Sequence, residues 1–99
     1  MKLVISLAPE AVRDLSLIWH YIQPDSPANA DKVIAGFKAK IAELGEYPWL
    51  GHKRADVANP DLRFLKVSAW LVCYMVQEPD LYVLRVVHAA RDMRSIIWR

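Results

Sequence analysis

Residues 81–92 read LYVLRVVHAARD, and the rest of the predicted fold is arranged around this stretch. Its first part is rich in β-branched and large apolar residues, which favour a largely covered β-strand. Arg85 and His88 interrupt the apolar run and Arg91 follows it, so the strand brings basic side chains to one end of a sheet. A basic side chain in such a strand needs a partner or an open face. Because side chains alternate along a strand, we expect Arg85 and His88 on opposite faces.

The size and composition of the chain predict a single globular domain. Its 99 residues suffice for one hydrophobic core, and 55% hydrophobic with 24% charged residues argues against disorder. The single cysteine, Cys73, excludes an internal disulfide and a cysteine-rich zinc site, which fits a reducing compartment. The apolar run at the start is too short for a signal peptide, and no run is long enough to span a membrane. We therefore expect a cytoplasmic protein with no cofactor and no metal site.

The formal net charge is +2, and it is unevenly distributed along the chain. Residues 1–50 hold five Lys and Arg against six Asp and Glu, whereas residues 51–99 hold eight against five. The basic character therefore belongs to the second half. This excess is smaller than the dense basic stripe that is typical of a DNA-binding domain.

A strand and two amphipathic helices are predicted in the first half. Residues 3–7 suit a short strand, and Pro9 suits the first turn of a helix that ends near Gln23. The apolar face of this helix comprises Ala8, Ala11, Val12, Leu15, Ile18, Trp19 and Ile22. Ser26 and Pro27 are typical of the start of a second helix. Because the link between the helices is short, they are predicted to form an antiparallel hairpin.

Gly36 lies inside the second predicted helix. A glycine at such a position costs about 1 kcal/mol relative to alanine. Close packing of the helix against a neighbouring element would explain its presence, and we expect such a contact.

The second half predicts an irregular connection followed by three strands. Residues 48–61 carry Pro, Gly, Asn and Asp and form the connection. Strands are predicted over 62–67, 70–77 and 81–88, joined by turns short enough for an antiparallel meander. Asp92 is placed to cap one or two helical turns in the tail. The predicted fold is α+β: an N-terminal strand, an antiparallel helical hairpin packed on one face of a mainly antiparallel β-sheet, and a short C-terminal helix or tail.

Several short motifs, taken in order, resemble one superfamily of toxins. They are APEAVRDL at 8–15, IWHYI at 18–22, SP at 26–27, YPWLG at 47–51, YMV at 74–76 and LRVVHAARD at 84–92. Together they cover nearly the whole chain, and they resemble the ParE branch of the RelE/ParE superfamily. Ala8 departs from the pattern, because relatives often carry a Ser or Thr helix cap there; this concerns local stability rather than function.

The resemblance implies the toxin of a type II toxin–antitoxin system, encoded with a small ParD-like antitoxin that neutralises it by direct binding. RelE-like relatives cut messenger RNA on the ribosome, whereas ParE-like relatives poison DNA gyrase. The resemblance implies no sequence-specific contact with DNA except through the antitoxin. A degenerate, non-toxic member that binds only its antitoxin is a third alternative.

The residues available for catalysis bear on the choice between these activities. Metal-free RNA cleavage needs a base, an acid and cations beside the phosphate. The candidates for such a set are Arg63, Arg85, His88 and Arg91. Residues 71–75 contain no arginine where nuclease relatives commonly have one, and Ala89 and Ala90 cannot donate protons. The set is incomplete, which favours a protein that binds and poisons gyrase rather than an enzyme.

Two contact surfaces are predicted from these considerations. The gyrase contact comprises Arg85, His88, Arg91, Arg94 and Trp98. The antitoxin contact comprises Leu17, Tyr21, Trp49, Lys53 and Arg54. The antitoxin is expected to use a groove. Helices that cover one face of a sheet leave the other face and the edges to be managed, and this chain is apolar enough to leave a groove exposed. Structural interpretations also exist: Arg85 can pair with a carboxylate, and a histidine at a strand end is more often a hydrogen-bonded structural residue than a catalytic one.

Overall fold

The computed structural model describes residues 2–91 and 93–95. Its elements, in chain order, are β1 (Val4–Leu7), α1 (Pro9–Ile22), α2 (Pro27–Glu46), β2 (Arg63–Val67), β3 (Trp70–Gln77), β4 (Asp80–His88) and a 3-10 helix (Met93–Ser95). The predicted order of elements is confirmed, and the helix and strand bounds agree with the predicted ones to within about two residues.

The four strands form one mixed sheet in the order β1-β4-β3-β2. β2, β3 and β4 pair antiparallel as the predicted meander. β1 lies parallel to β4, with Val4 opposite Asp80 and Leu7 opposite Val83. β1 and β4 are therefore neighbours in the sheet, although the helical hairpin and two strands separate them in the sequence. The predicted α+β fold is confirmed.

The two helices begin where their local sequences predict. Pro9 occupies the first turn of α1, although Ala8 provides no side-chain cap. The Ser26 hydroxyl accepts a hydrogen bond from the Asn29 N–H at 3.1 Å and so caps α2. A serine N-cap satisfies a backbone donor that has no partner within the helix. At the start of α1 the corresponding N–H, that of Ala11, donates to the Ala8 carbonyl oxygen at 2.9 Å instead.

The main core lies between the helices and one face of the sheet. Its buried residues include Ala11, Leu15, Ile18, Phe37, Ile41, Leu44, Val72, Tyr74, Leu81, Val83 and Val86. Most of the predicted apolar face of α1 is thus confirmed. Val12 is the exception, because 54% of it is exposed.

A second core covers the opposite face of the sheet. It comprises Val57, Leu62, Phe64, Leu71, Cys73, Val87 and Met93. Val57 belongs to the irregular connection and Met93 to the 3-10 helix, so these two segments fold over the face that the helices leave uncovered. They provide the cover that the second face of the sheet needs. The predicted tail helix is described only at residues 93–95, and its proposed cap, Asp92, lies outside the described residues.

Close packing occurs at a different glycine from the predicted one. A methyl group added to Gly36 would meet nothing within 4 Å, so the predicted contact at this position is wrong. A methyl group on Gly45 would instead lie 3.2 Å from the Ile5 side chain and 3.3 Å from the Leu3 carbonyl oxygen. The Leu3 N–H donates to the Gly45 carbonyl oxygen at 2.8 Å. The end of α2 therefore packs directly on the start of β1.

Candidate functional site

Arg85 on β4 forms an ion pair with Asp14 on α1. Its Nε donates to Asp14 Oδ2 at 2.8 Å and its Nη2 donates to Asp14 Oδ1 at 3.1 Å. The side chains are 22% and 11% exposed. The hydrogen bonds to Asp14, and the negative charge of Asp14, raise the pKa of Arg85 above its ordinary value. The structural interpretation of Arg85 is confirmed, and its guanidinium is committed to a contact within the protein.

Asp14 also protects the open edge of β4. The pairing of β1 with β4 ends at Leu7 and Val83, so the edge of β4 is uncovered beyond that point. The Val86 N–H there donates to Asp14 Oδ2 at 2.9 Å. An unpaired strand edge is a liability, and a buried carboxylate that accepts its N–H removes one unsatisfied donor.

A β-bulge lies directly before Arg85. Tyr74 pairs with Val83 while Cys73 pairs with Arg85, which leaves Leu84 without a partner on β3. Bulges bend a strand and redirect side chains. The bulge interrupts the alternation of side chains between Val83 and Arg85, whereas the pairing from Arg85 to His88 is regular.

Arg63 and Tyr74 attach the irregular connection to the sheet. Arg63 Nη1 donates to the Gly51 carbonyl oxygen at 2.9 Å. The Tyr74 hydroxyl accepts from the Gly51 N–H at 2.8 Å and donates to the Pro48 carbonyl oxygen at 2.6 Å. Tyr74 is fully buried, and this burial raises the pKa of its phenol. Like Arg85, Arg63 thus has a structural partner in this fold.

His88, the last residue of β4, and Arg91, which follows the strand, are both exposed. They line a cavity of about 290 Å³ between α1 and the end of the sheet, which we call the α1–β4 cavity. Its lining also includes Asp14, Leu17, Ile18, Tyr21 and Trp70. The structure thus brings together residues from the predicted gyrase contact and residues from the predicted antitoxin contact.

The His88 ring is held by two neighbours. It packs edge-on against Trp70, with ring centroids 5.1 Å apart and planes at 78°. Its Nδ1 accepts a hydrogen bond from the Ala90 N–H at 3.1 Å. When the ring is neutral, this acceptor role places the proton on Nε2. Trp70 is directly opposite His88 in the pairing of β3 with β4, so sheet register creates the contact.

The predicted antitoxin residues fall in two separate places. Leu17 and Tyr21 project from α1 and are 62% and 79% exposed. Trp49 is 67% exposed and lines a second cavity with Glu46 and Glu78 at the other end of the sheet. The five residues therefore do not form one continuous surface around the α1–β4 cavity.

Lys53 and Arg54 belong to the irregular connection, a few residues after Trp49 in the sequence. Arg54 donates from Nε and Nη2 to the Asp56 carboxylate at 2.9 and 2.8 Å, and its guanidinium lies 5.8 Å from the centre of the Phe64 ring. The hydrogen bonds with Asp56 raise the pKa of Arg54. Lys53 is exposed. Arg54 is thus engaged locally, which leaves Lys53 as the more accessible cation of the two.

Arg94 lies on the exposed side of the 3-10 helix, and its charge contributes to lowering the pKa of Asp56. Trp98, the last residue of the predicted gyrase contact, lies outside the described residues. The charge of Arg94 therefore acts on Asp56 of the irregular connection.

The sequence interpretation missed an apolar groove between the helices. Leu7, Val12, Leu15, Trp19, Ile34 and Lys38 line it. The Trp19 indole N–H donates to Asp31 Oδ1 at 2.9 Å, which links α1 to α2. The signal was present in the wide apolar face of α1, since the sheet buries only part of it and leaves Val12 exposed.

The remaining chemical candidates are limited. Among residues 2–91 and 93–95, no group of three or more His, Cys, Asp or Glu is placed to hold a metal ion. Burial raises the pKa of the Cys73 thiol to about 12, so the thiolate that a nucleophile needs is not populated near neutral pH. No helix in the described part of the chain is long and apolar enough to cross a membrane.

Comparison with known proteins identifies the family. The model of the ParE toxin of type II toxin–antitoxin systems matches residues 5–93. The chain belongs to the ParE toxin family. This ParE-family chain is also 33% identical over 82 residues to Toxin RelE2 of Caulobacter vibrioides, covering 82% of this chain and 89% of that protein. It is therefore the toxin of a type II toxin–antitoxin system, and the resemblance seen in its motifs is confirmed.

Solved structures show the same fold for this ParE-family chain. A chromosomal ParDE toxin–antitoxin system from P. aeruginosa superposes with a TM-score of 0.74 at 20% identity, covering 88% of this chain and 96% of that one. The RelBE2 toxin–antitoxin complex from Mycobacterium tuberculosis gives 0.57 at 18% identity, covering 89% and 99%. At these identities the likeness concerns the fold. ParE-named and RelE-named proteins both appear among the relatives, so the target is a separate question.

Proposed function

We propose that this type II toxin acts by binding and poisoning DNA gyrase in the cytoplasm and that a ParD-like antitoxin neutralises it. The observation that carries the proposal is the engagement of its arginines. Arg85 is paired with Asp14, and Arg63 donates to the Gly51 carbonyl oxygen. Both arginines are therefore occupied by the fold, whereas a ribonuclease would need them beside a phosphate.

The remaining members of the hypothetical catalytic set are His88 and Arg91. A single imidazole and a single guanidinium can supply one proton-transfer group and one cation. Cleavage of RNA without a metal needs a base for the 2′-hydroxyl and an acid for the leaving oxygen. Tyr74 cannot supply either role, because its hydroxyl is buried between Gly51 and Pro48. This shortage supports a toxin that acts by binding.

The proposed target surface centres on His88 and Arg91. Both are exposed, and no carboxylate in the described part of the chain pairs with the Arg91 guanidinium. An exposed cation beside aromatic side chains is typical of the residues that contribute most to protein–protein binding. Arg94 and Trp98 would extend this surface along the tail.

Purified gyrase provides the test. Relaxed plasmid, ATP and gyrase are incubated with increasing amounts of antitoxin-free toxin, and supercoiled and cleaved DNA are scored on the same gel. We expect inhibition with accumulation of cleaved DNA. Arg91→Ala combined with His88→Ala should abolish both effects, while Arg13→Ala, an exposed arginine on α1 outside the cavity, should retain them. Unchanged supercoiling with folded wild-type toxin would exclude this gyrase as the target.

A ribosome-dependent ribonuclease is the second candidate, favoured by the similarity to a protein named Toxin RelE2. It is tested by adding the toxin to a translating extract and mapping messenger RNA ends by primer extension. New ends within codons that disappear with His88→Ala and Arg91→Ala would establish this activity. Growth arrest after expression without antitoxin excludes the third alternative, a non-toxic member of the family.

A further inference from the structure

Asp14 and Arg91 are the acidic side chain and the arginine that line the α1–β4 cavity. Asp14 is part of its wall, but both carboxylate oxygens of Asp14 already accept hydrogen bonds from Arg85 and from the Val86 N–H. The charge of Asp14 is thus compensated inside the protein. Arg91 has no such carboxylate partner in the described part of the chain. An anionic group that entered the cavity would meet the exposed guanidinium of Arg91.

Most of the cavity surface is apolar. Leu17 and Tyr21 are exposed large hydrophobic residues, at 62% and 79%. Ile18, which is buried, and Trp70, which is half-buried, lie behind them. An apolar wall next to one cation fits a carboxylate side chain that is flanked by a large apolar side chain. A nucleic acid fits less well, because its successive phosphates require several cations.

We infer that the α1–β4 cavity receives an acidic side chain of the antitoxin, with Arg91 as its ion-pair partner and Leu17 and Tyr21 in contact with an adjacent apolar side chain. The inference rests on the proposed function for the identity of the two partners. Because His88 and Arg91 also belong to the proposed gyrase surface, the antitoxin neutralises the toxin by occupying the same residues. Toxin bound to antitoxin cannot bind gyrase through this surface.

Charge reversal tests the site directly. The affinity of the toxin for the ParD-like protein encoded with it is measured by isothermal titration calorimetry for wild type, Arg91→Glu and Leu17→Ala. We expect each variant to bind at least about tenfold more weakly. Arg13→Glu makes the same charge change at an exposed position of α1 outside the cavity, and it should bind within about twofold of wild type. Circular dichroism and thermal melting establish that every variant is folded.

A charge swap identifies the partner residue. Each Asp and Glu of the antitoxin is replaced by Arg in turn, and each replacement is paired with Arg91→Glu. One pair should regain most of the lost affinity, because the two charges are exchanged rather than removed. Wild-type affinity in Arg91→Glu, or the absence of any rescuing pair, would overturn the assignment.

A binding assay tests whether gyrase and the antitoxin use the same residues of the toxin. Gyrase is immobilised, and toxin is applied alone or in preformed complex with the antitoxin. Toxin alone should be retained and the complex should not; retention of the intact complex would overturn shared occupancy. If wild-type toxin does not bind gyrase, the proposed target is wrong, but the affinity and charge-swap results still decide the antitoxin site. If wild-type toxin does not bind the antitoxin, the inference fails whatever the gyrase result.

Discussion

The Asp14 carboxylate and the Arg85 guanidinium, 71 residues apart in sequence, meet at 2.8 Å and join the middle of α1 to β4. The same carboxylate accepts the Val86 N–H, so it holds both a side chain and the backbone of the strand. This contact ties α1 to β4 at the wall of the α1–β4 cavity, whose lining includes Asp14. Both carboxylate oxygens of Asp14 already accept hydrogen bonds within the protein.

Replacing Asp14 should destabilise the protein. Asp14→Ala leaves the guanidinium of Arg85 and the Val86 N–H without their acceptor in a largely covered site. We expect the free energy of unfolding to fall by about 2–4 kcal/mol, as measured by urea denaturation. The matched control is Asp56→Ala, which removes an exposed pair with Arg54 and should change stability far less. Equal losses in the two variants would contradict the importance assigned to Asp14.

Removing the Tyr74 hydroxyl should loosen the irregular connection. Tyr74→Phe leaves the Gly51 N–H and the Pro48 carbonyl oxygen without their partner, which should cost about 1–3 kcal/mol in urea denaturation. Hydrogen exchange of the Gly51 amide should accelerate in the same variant. Slow exchange at Gly51 in a folded Tyr74→Phe protein would show that the hydroxyl does not hold this segment.

The pH dependence of stability follows from the raised pKa of Tyr74. Ionisation is disfavoured in the folded state, so the unfolded state loses this proton first as pH rises. The contribution of Tyr74 is therefore complete below the unfolded pKa of about 10 and is lost above it. Urea denaturation from pH 8 to pH 11 should show a steeper loss of stability in wild type than in Tyr74→Phe. Parallel curves would refute this linkage.

Two glycines should respond to alanine in opposite directions. A methyl group on Gly51 would lie 2.6 Å from the Tyr74 ring, which is buried and cannot move away, so Gly51→Ala should destabilise the protein by about 1–3 kcal/mol. A methyl group on Gly36 meets nothing, so Gly36→Ala should stabilise α2 by about 0.5–1 kcal/mol. Thermal melting of both variants checks the two signs.

Cys73 should be unreactive in the folded protein. It is fully buried, and this burial raises the pKa of its thiol to about 12, so the thiol stays protonated near neutral pH. At pH 8, Ellman's reagent should label it only in urea, whereas a Ser16→Cys variant, exposed on α1, should gain one rapidly labelled thiol. Rapid labelling of wild type without urea would show that the second core opens readily.

Local signals in the sequence account for most of the secondary structure. Pro9 and the Ser26–Pro27 pair set the starts of the helices, because a proline suits the first helical turn and a serine caps it. The stretches rich in β-branched residues predict the strands. The short links between the three predicted strands of the second half predict the antiparallel meander. The motifs also sufficed to indicate the toxin family, which the family match confirmed.

Tertiary structure decided which partners these elements find. Arg85 and Arg63 have the same chemistry in the sequence as Arg91, and only the fold shows that the first two are engaged by Asp14 and Gly51. Asp14 and Arg85 are 71 residues apart in sequence, and they meet because α1 packs on the sheet. No local sequence pattern encodes that packing.

The sequence by itself determined the helices, the strands, the family and the set of basic residues near its end, because each depends on neighbours within a few positions. Only the tertiary structure decided that β1 lies parallel to β4, that the connection covers the second face, and that Leu17 and Tyr21 share a cavity with His88 and Arg91. These features depend on contacts between distant segments, where packing and the satisfaction of buried charge select one arrangement.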